Sequence, residues 1–80
     1  MNEERIIARG LRPPGPLLLV RKKIEEGAAG HLRVIVSFED SARELVEFFE
    51  ETGIPVETDR AGDDIHVVAD LSGRRNGDIE

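Results

Sequence analysis

Arg9-Gly10-Leu11-Arg12-Pro13-Pro14-Gly15-Pro16 is the stretch that decides how this chain folds. Before it stands Arg5-Ile6-Ile7-Ala8, whose β-branched residues read as a short strand. Gly10 suits a sharp strand-to-helix turn. Pro14 or Pro16 fits the first helical position, where a fixed φ is already helical and a missing N–H costs nothing. After it, Leu17, Val20 and Ile24 recur at helical spacing as a core stripe, with Leu18 beside it. Lys22 and Lys23 should point away from the core. Leu19 falls about 200° from Leu17 on a helical wheel, so it is expected at the surface. Gly27 and Gly30 should end this helix.

Outward from there the chain alternates. Leu32-Arg33-Val34-Ile35-Val36 reads as a second strand, with Leu32, Val34 and Val36 on one side. Asp40 or Ser41 is the expected cap of a second helix, with Glu44 as capping-box partner if Ser41 is the cap. Ala42, Leu45, Val46 and Phe49 form its buried face, and Glu44, Glu47, Glu50 and Glu51 an acidic outer face. Gly53 stops it. Ile54-Pro55-Val56-Glu57-Thr58 reads as a third strand, at a start or an edge because Pro55 cannot donate to a ladder. Asp59–Gly62 is the expected hairpin turn. Asp64–Ala69 is a fourth strand with Ile65, Val67 and Ala69 inward.

The predicted architecture is an α/β (α+β) two-layer sandwich of order β-α-β-α-β-β. Its strands lie near residues 5–8, 32–37, 54–59 and 64–70. Two helices, near 14–26 and 41–52, lie on one face of a four-stranded mixed sheet. The first two strands should be parallel, with a right-handed crossover. One domain is expected over 1–73, with residues 74–80 a disordered tail. Two layers leave one sheet face open. Alternation puts Ile7, Ile35 and Val68 there, a candidate apolar patch for self-association.

The motif stretch resembles the signature of the TusA/SirA family of small sulfur-carrier proteins, roughly A-R-G-L-x-C-P-x-P-L-L-x-x-R-K. Here it stands as Ala8-Arg9-Gly10-Leu11-Arg12-Pro13-Pro14-Gly15-Pro16-Leu17-Leu18-Leu19-Val20-Arg21-Lys22. The resemblance runs from about Ile6 to Leu71 and implies the same sandwich. It departs at the reactive position: Pro13 stands where the family has its cysteine, and the chain contains no cysteine. In the family a helix N-terminus would favour the thiolate that carries sulfur as a persulfide. Gly10 through Leu18 offers no Ser, Thr, His, Asp, Glu or Tyr as a replacement. The motif prolines Pro13, Pro14 and Pro16 also withhold backbone donors. That argues against anion capture at this helix start, although Arg9 and Arg12 offer side chains for it.

Composition bounds the other classes. Eighty residues bury only around 60–65% of their unfolded surface, so the core is small. His31 and His66 lack the company of a zinc site, and no cofactor is expected. His31 reads as a loop residue, His66 as a polar surface group and Asp63-Asp64 as a solvated turn. The longest apolar run, Leu17–Val20, is too short for a membrane, and the acidic Met1-Asn2-Glu3-Glu4 is no signal peptide; a cytoplasmic location is expected. Without Trp or Tyr there is no stacking platform, so direct nucleic-acid binding is not expected.

Charge is segregated. Arg5 to Ile24 holds six basic residues and no acidic one, whereas Glu25 onward holds fifteen acidic and five basic. Such asymmetry points to an interaction surface. Arg9, Arg12, Leu19, Arg21 and Lys22 are its candidate residues. The reading is a non-catalytic binding or regulatory module docking on a protein partner. The alternative is an accessory in sulfur or selenium transfer whose partner, of sulfur-relay type, supplies the reactive cysteine.

Overall fold

The computed structural model describes residues 3–73. The elements run β1 (Glu3–Ala8), α1 (Gly15–Glu25), β2 (His31–Val36), α2 (Glu39–Glu51), β3 (Val56–Ala61) and β4 (Asp64–Asp70), closed by a 3-10 turn at Leu71–Gly73. The expected tail at 74–80 lies outside the described residues. No helix among the described residues is long and apolar enough to cross a membrane.

The strands form one sheet in the order β1-β2-β4-β3. β1 runs parallel to β2, with Ile6 beside Val34 and Ala8 beside Val36. β4 is antiparallel to both β2 and β3. Period-2 alternation turns Ile6, Ala8, Leu32, Val34, Val36, Ile65, Val67 and Ala69 to one face, where they are buried with Val20, Leu45, Phe49 and Ile54. Both helices cover that face: α1 packs on β1 and β2, α2 on β3 and β4. The two-layer mixed sandwich is as the pattern predicts.

Both helices end in the same way. Gly27 at φ +98° donates to the Ile24 carbonyl and Ala28 to that of Lys23. Gly53 at φ +75° donates to Glu50 and Ile54 to Phe49. This double bond needs a left-handed residue after the helix, which glycine supplies without a Cβ clash.

Several local expectations are corrected. The third strand starts at Val56 and runs to Ala61, so the turn is the two residues between Ala61 and Asp64, which pair across the hairpin. His31 opens β2 rather than sitting in a loop. Neither Asp40 nor Ser41 caps α2: the cap is Phe38, with no side-chain hydrogen bond. Glu39 and Asp40 in the first turn meet the positive helix end by charge instead. Glu44 makes no return contact; its Oε1 is buried without a hydrogen-bond partner among the described residues. Leu18 is 59% exposed and does not belong to the core. Lys23 is drawn back to the sheet edge by Glu4, 3.3 Å away.

The open sheet face is not a continuous apolar patch. Ile7 is 54% exposed and lies beside Ile35, but Ile35 is only 3% exposed. Val68 pairs with Arg33, and Ile35 with His66. The Arg33 Nη1 to His66 Nδ1 hydrogen bond, 2.9 Å, therefore crosses between Ile35 and Val68. Arg33 Nε also donates to Glu3 Oε2 at 2.7 Å. That bond holds the Glu3 carboxyl below its ordinary pKa.

A candidate docking site at the start of the first helix

The loop between β1 and α1 is fastened residue by residue. The Arg9 guanidinium forks onto Asp64, with Nε 3.1 and 3.0 Å from the two carboxylate oxygens and Nη2 3.0 Å from Oδ2. This donated bond lowers the Asp64 pKa and raises that of Arg9. Asp64 is thus not a merely solvated turn residue. The Gly10 N–H donates to Ser37 Oγ at 3.0 Å. The fully buried Ser41 donates its hydroxyl to the Leu11 carbonyl at 3.1 Å. Arg12 lies over the Phe38 ring, 3.8 Å from its centroid, with Asp40 3.9 Å away. Leu11 leans on the helix start: a Cβ on Gly15 would come within 3.3 Å of the Leu11 Cβ.

Pro14 is the residue before the helix, the Pro13–Pro14 bond is cis, and no side chain caps α1. Pro16 is buried, Pro13 half-buried and Pro14 exposed. Of the donors around this end, Gly15 N–H is given to the Arg12 carbonyl at 2.8 Å and Leu18 N–H to Pro14 at 3.0 Å. With Arg9 and Arg12 each holding a carboxylate, the arrangement is built to fix backbone rather than to receive an anion. Among the described residues there is no cluster of three His, Cys, Asp or Glu that could hold a metal.

The sequence-based candidates therefore separate. Arg9 and Arg12 belong to the fastening of the loop. Leu19, 38% exposed, and the exposed Lys22 stay free on the outer side of α1. Arg21 is exposed, its guanidinium 6.0 Å from the Phe48 ring at the junction with α2. Two residues of this surface were not anticipated: Leu18 and Leu11, the latter 39% exposed. Leu18 falls at the edge of the apolar arc on a wheel, so only the position of α2 decides which side it takes. Leu11 precedes the helix and has no periodicity to read.

The model of the family described as sulfurtransferase TusA matches residues 4–69. Among solved structures, the crystal structure of the SirA-like protein from Desulfitobacterium hafniense is similar, with a TM-score of 0.73 at 28% sequence identity. The match covers 81% of this chain and 92% of that one. No curated protein matches the chain. The family match runs through the fastened loop, both helices and nearly the whole sheet, and the chain belongs to the TusA family, a family of sulfur transfer.

Proposed function

We propose that this chain is a non-catalytic TusA-family module that docks on a protein partner. The observation that carries this reading is the absence of cysteine from the chain. A persulfide forms on a thiolate, and Pro13, at the motif's cysteine position, has no atom that can bear sulfur. The serines that reach the loop from elsewhere are committed. Ser37 accepts from Gly10, and Ser41 donates to Leu11. What remains of the site is a rigid, cationic and partly apolar surface, suited to recognition because its ordering cost is met before a partner arrives.

The family assignment favours a second reading, an accessory to a sulfur relay whose partner supplies the cysteine. One reconstitution separates the two. The chain is incubated with a cysteine desulfurase, cysteine and an acceptor protein, and sulfur is followed by mass spectrometry. The docking module carries no sulfur and leaves delivery to the acceptor unchanged; the accessory carries none but alters the delivery rate. Sulfur found covalently on the wild-type chain would overturn both.

A further inference from the structure

We infer that the outer face of α1 receives an amphipathic helix of a partner protein, one with an apolar centre and acidic flanks. The inference rests on the docking reading above and gives that partner its chemistry. Leu18 and Leu19, 59% and 38% exposed, stand side by side on the outward arc of α1, and Leu11 at 39% extends the stripe past the helix start. The Leu11 side chain fills the space over Gly15. Leucines in a row along a helix axis form a ridge, and a ridge packs into the groove on the surface of another helix. Eleven residues of α1 give about 16 Å of contact length at ~1.5 Å per residue.

Charge fixes the flanks. Arg9, Arg12 and Lys23 have acidic partners within the chain. Lys22 and Arg21 do not, among the described residues, and they border the leucines. The first turn of α1 contains no acidic side chain that would repel acidic flanks. Beside Leu19 lies a depression of about 200 Å³ between β1 and α1, lined by Arg5, Ile6, Leu19, Lys22, Lys23 and Glu26. Three of its six lining residues are basic, and of these Lys22 has no acidic partner among the described residues, so the depression offers an apolar side chain room beside Ile6, Leu19 and one unpaired cation.

A second copy of this chain does not match. Its α1 would bring Lys22 and Arg21 against their own kind. The outer face of its α2, with exposed Glu47, Glu50 and Glu51, offers charge and nothing to cover leucines.

The test uses the full chain and three synthetic helical peptides, each about 15–20 residues so as to span α1. One carries leucines flanked by glutamates, one leucines flanked by lysines, and one alanines flanked by glutamates. Binding is read by fluorescence anisotropy and mapped by amide chemical shifts. The leucine–glutamate peptide is expected to bind about tenfold more tightly than either control, shifting amides between residues 11 and 22. Leu18→Glu should lose at least that factor with an unchanged melting temperature, because the side chain is exposed. Lys22→Glu should weaken binding and flatten its salt dependence. Equal affinity for the two leucine peptides, shifts confined to the open sheet face, or no binding would overturn the inference. So would a dimer in sedimentation that Leu18→Glu dissolves, which would give the face to a second copy. None of these readouts involves sulfur, so they fail independently of the relay assay.

Discussion

Ser41→Ala removes one hydroxyl and isolates the energetics of the loop. Ser41 is fully buried in the first turn of α2, and among the described residues its hydroxyl bonds to the Leu11 carbonyl alone, 3.1 Å away. Alanine fits the same space, so the change is confined to that bond. A net protein hydrogen bond contributes about 0.5–1.5 kcal/mol, and leaving a shielded acceptor unpaired costs about 1–3 kcal/mol. The Leu11 carbonyl is partly shielded, which places the expected loss at ~1–2 kcal/mol. For a domain of this size ~1 kcal/mol corresponds to roughly 4–8 °C, so the melting temperature should fall by about 4–15 °C. Thermal and urea unfolding followed by circular dichroism measure it. Ser37→Ala, which removes an exposed acceptor from Gly10, should cost less, about 0.5 kcal/mol. A double-mutant cycle with Glu44→Ala adds the decisive arm. If Ser41 ties the loop, the two changes are additive within about 0.5 kcal/mol. A coupling above ~1 kcal/mol, or a neutral Ser41→Ala, would mean that Ser41 and Glu44 cap α2 together after all and that the loop is held by other contacts.

Other outcomes follow from the same geometry. Leu45→Ala should lose about 2–5 kcal/mol and Phe49→Ala about 3–5 kcal/mol in urea unfolding, since both are fully buried. Stability should fall on the acid side. Glu3 and Asp64 are held below their ordinary values of 4.5 and 3.8 by Arg33 and Arg9, so their contribution is complete above those values and disappears as pH drops through the lower folded ones. Asp64→Asn should flatten that acid limb, and an unaltered limb would remove the Arg9–Asp64 pair from the account. Pro13→Cys should keep the fold with a loss no greater than ~1 kcal/mol, from greater freedom in the unfolded chain. Its thiol should alkylate faster at neutral pH than a cysteine placed at the exposed Ala29, as expected beside a helix N-terminus. Lys22→Glu should slow association with an acidic partner more than Arg43→Glu, and the difference should shrink as salt shortens screening below about 8–10 Å.

The sheet was legible because its strands alternate cleanly: Leu32, Val34, Val36 and Ile65, Val67, Ala69 have one partition into faces, and the structure uses it. Helix ends were legible where Gly27 and Gly53 stand. The start of α2 was not, because Ser41 and Glu44 satisfy the local capping pattern while the Leu11 carbonyl, distant in sequence, claims the hydroxyl. The third strand was misplaced for a similar reason. Val56–Ala61 is polar and carries no alternation, so only its ladder to β4 defines it. Among the site residues, Arg9 and Arg12 looked free because Asp64 and Asp40 lie far along the chain or across a loop. Charge counted along a sequence cannot show which cations are already engaged. Leu18 was read as lying beside the core stripe because its wheel position is at the margin of the buried arc, yet it is 59% exposed.

The strand order β1-β2-β4-β3 leaves both ends of the sheet unpaired, and the two ends are unequally guarded. β3 spreads Glu57, Asp59 and Arg60 along its length, a pattern that discourages another strand from adding to it. β1 crowds its charges into Glu3-Glu4-Arg5 and finishes with Ile6-Ile7-Ala8, of which Ile7 is 54% exposed. Protonating Glu3 breaks its bond with Arg33 and leaves β1 an aliphatic edge, whereas β3 has no comparable aliphatic run. Aggregation of the folded protein should then begin at low pH by growth from β1 rather than β3, and a lysine at position 7 should suppress it while one at position 58 should not.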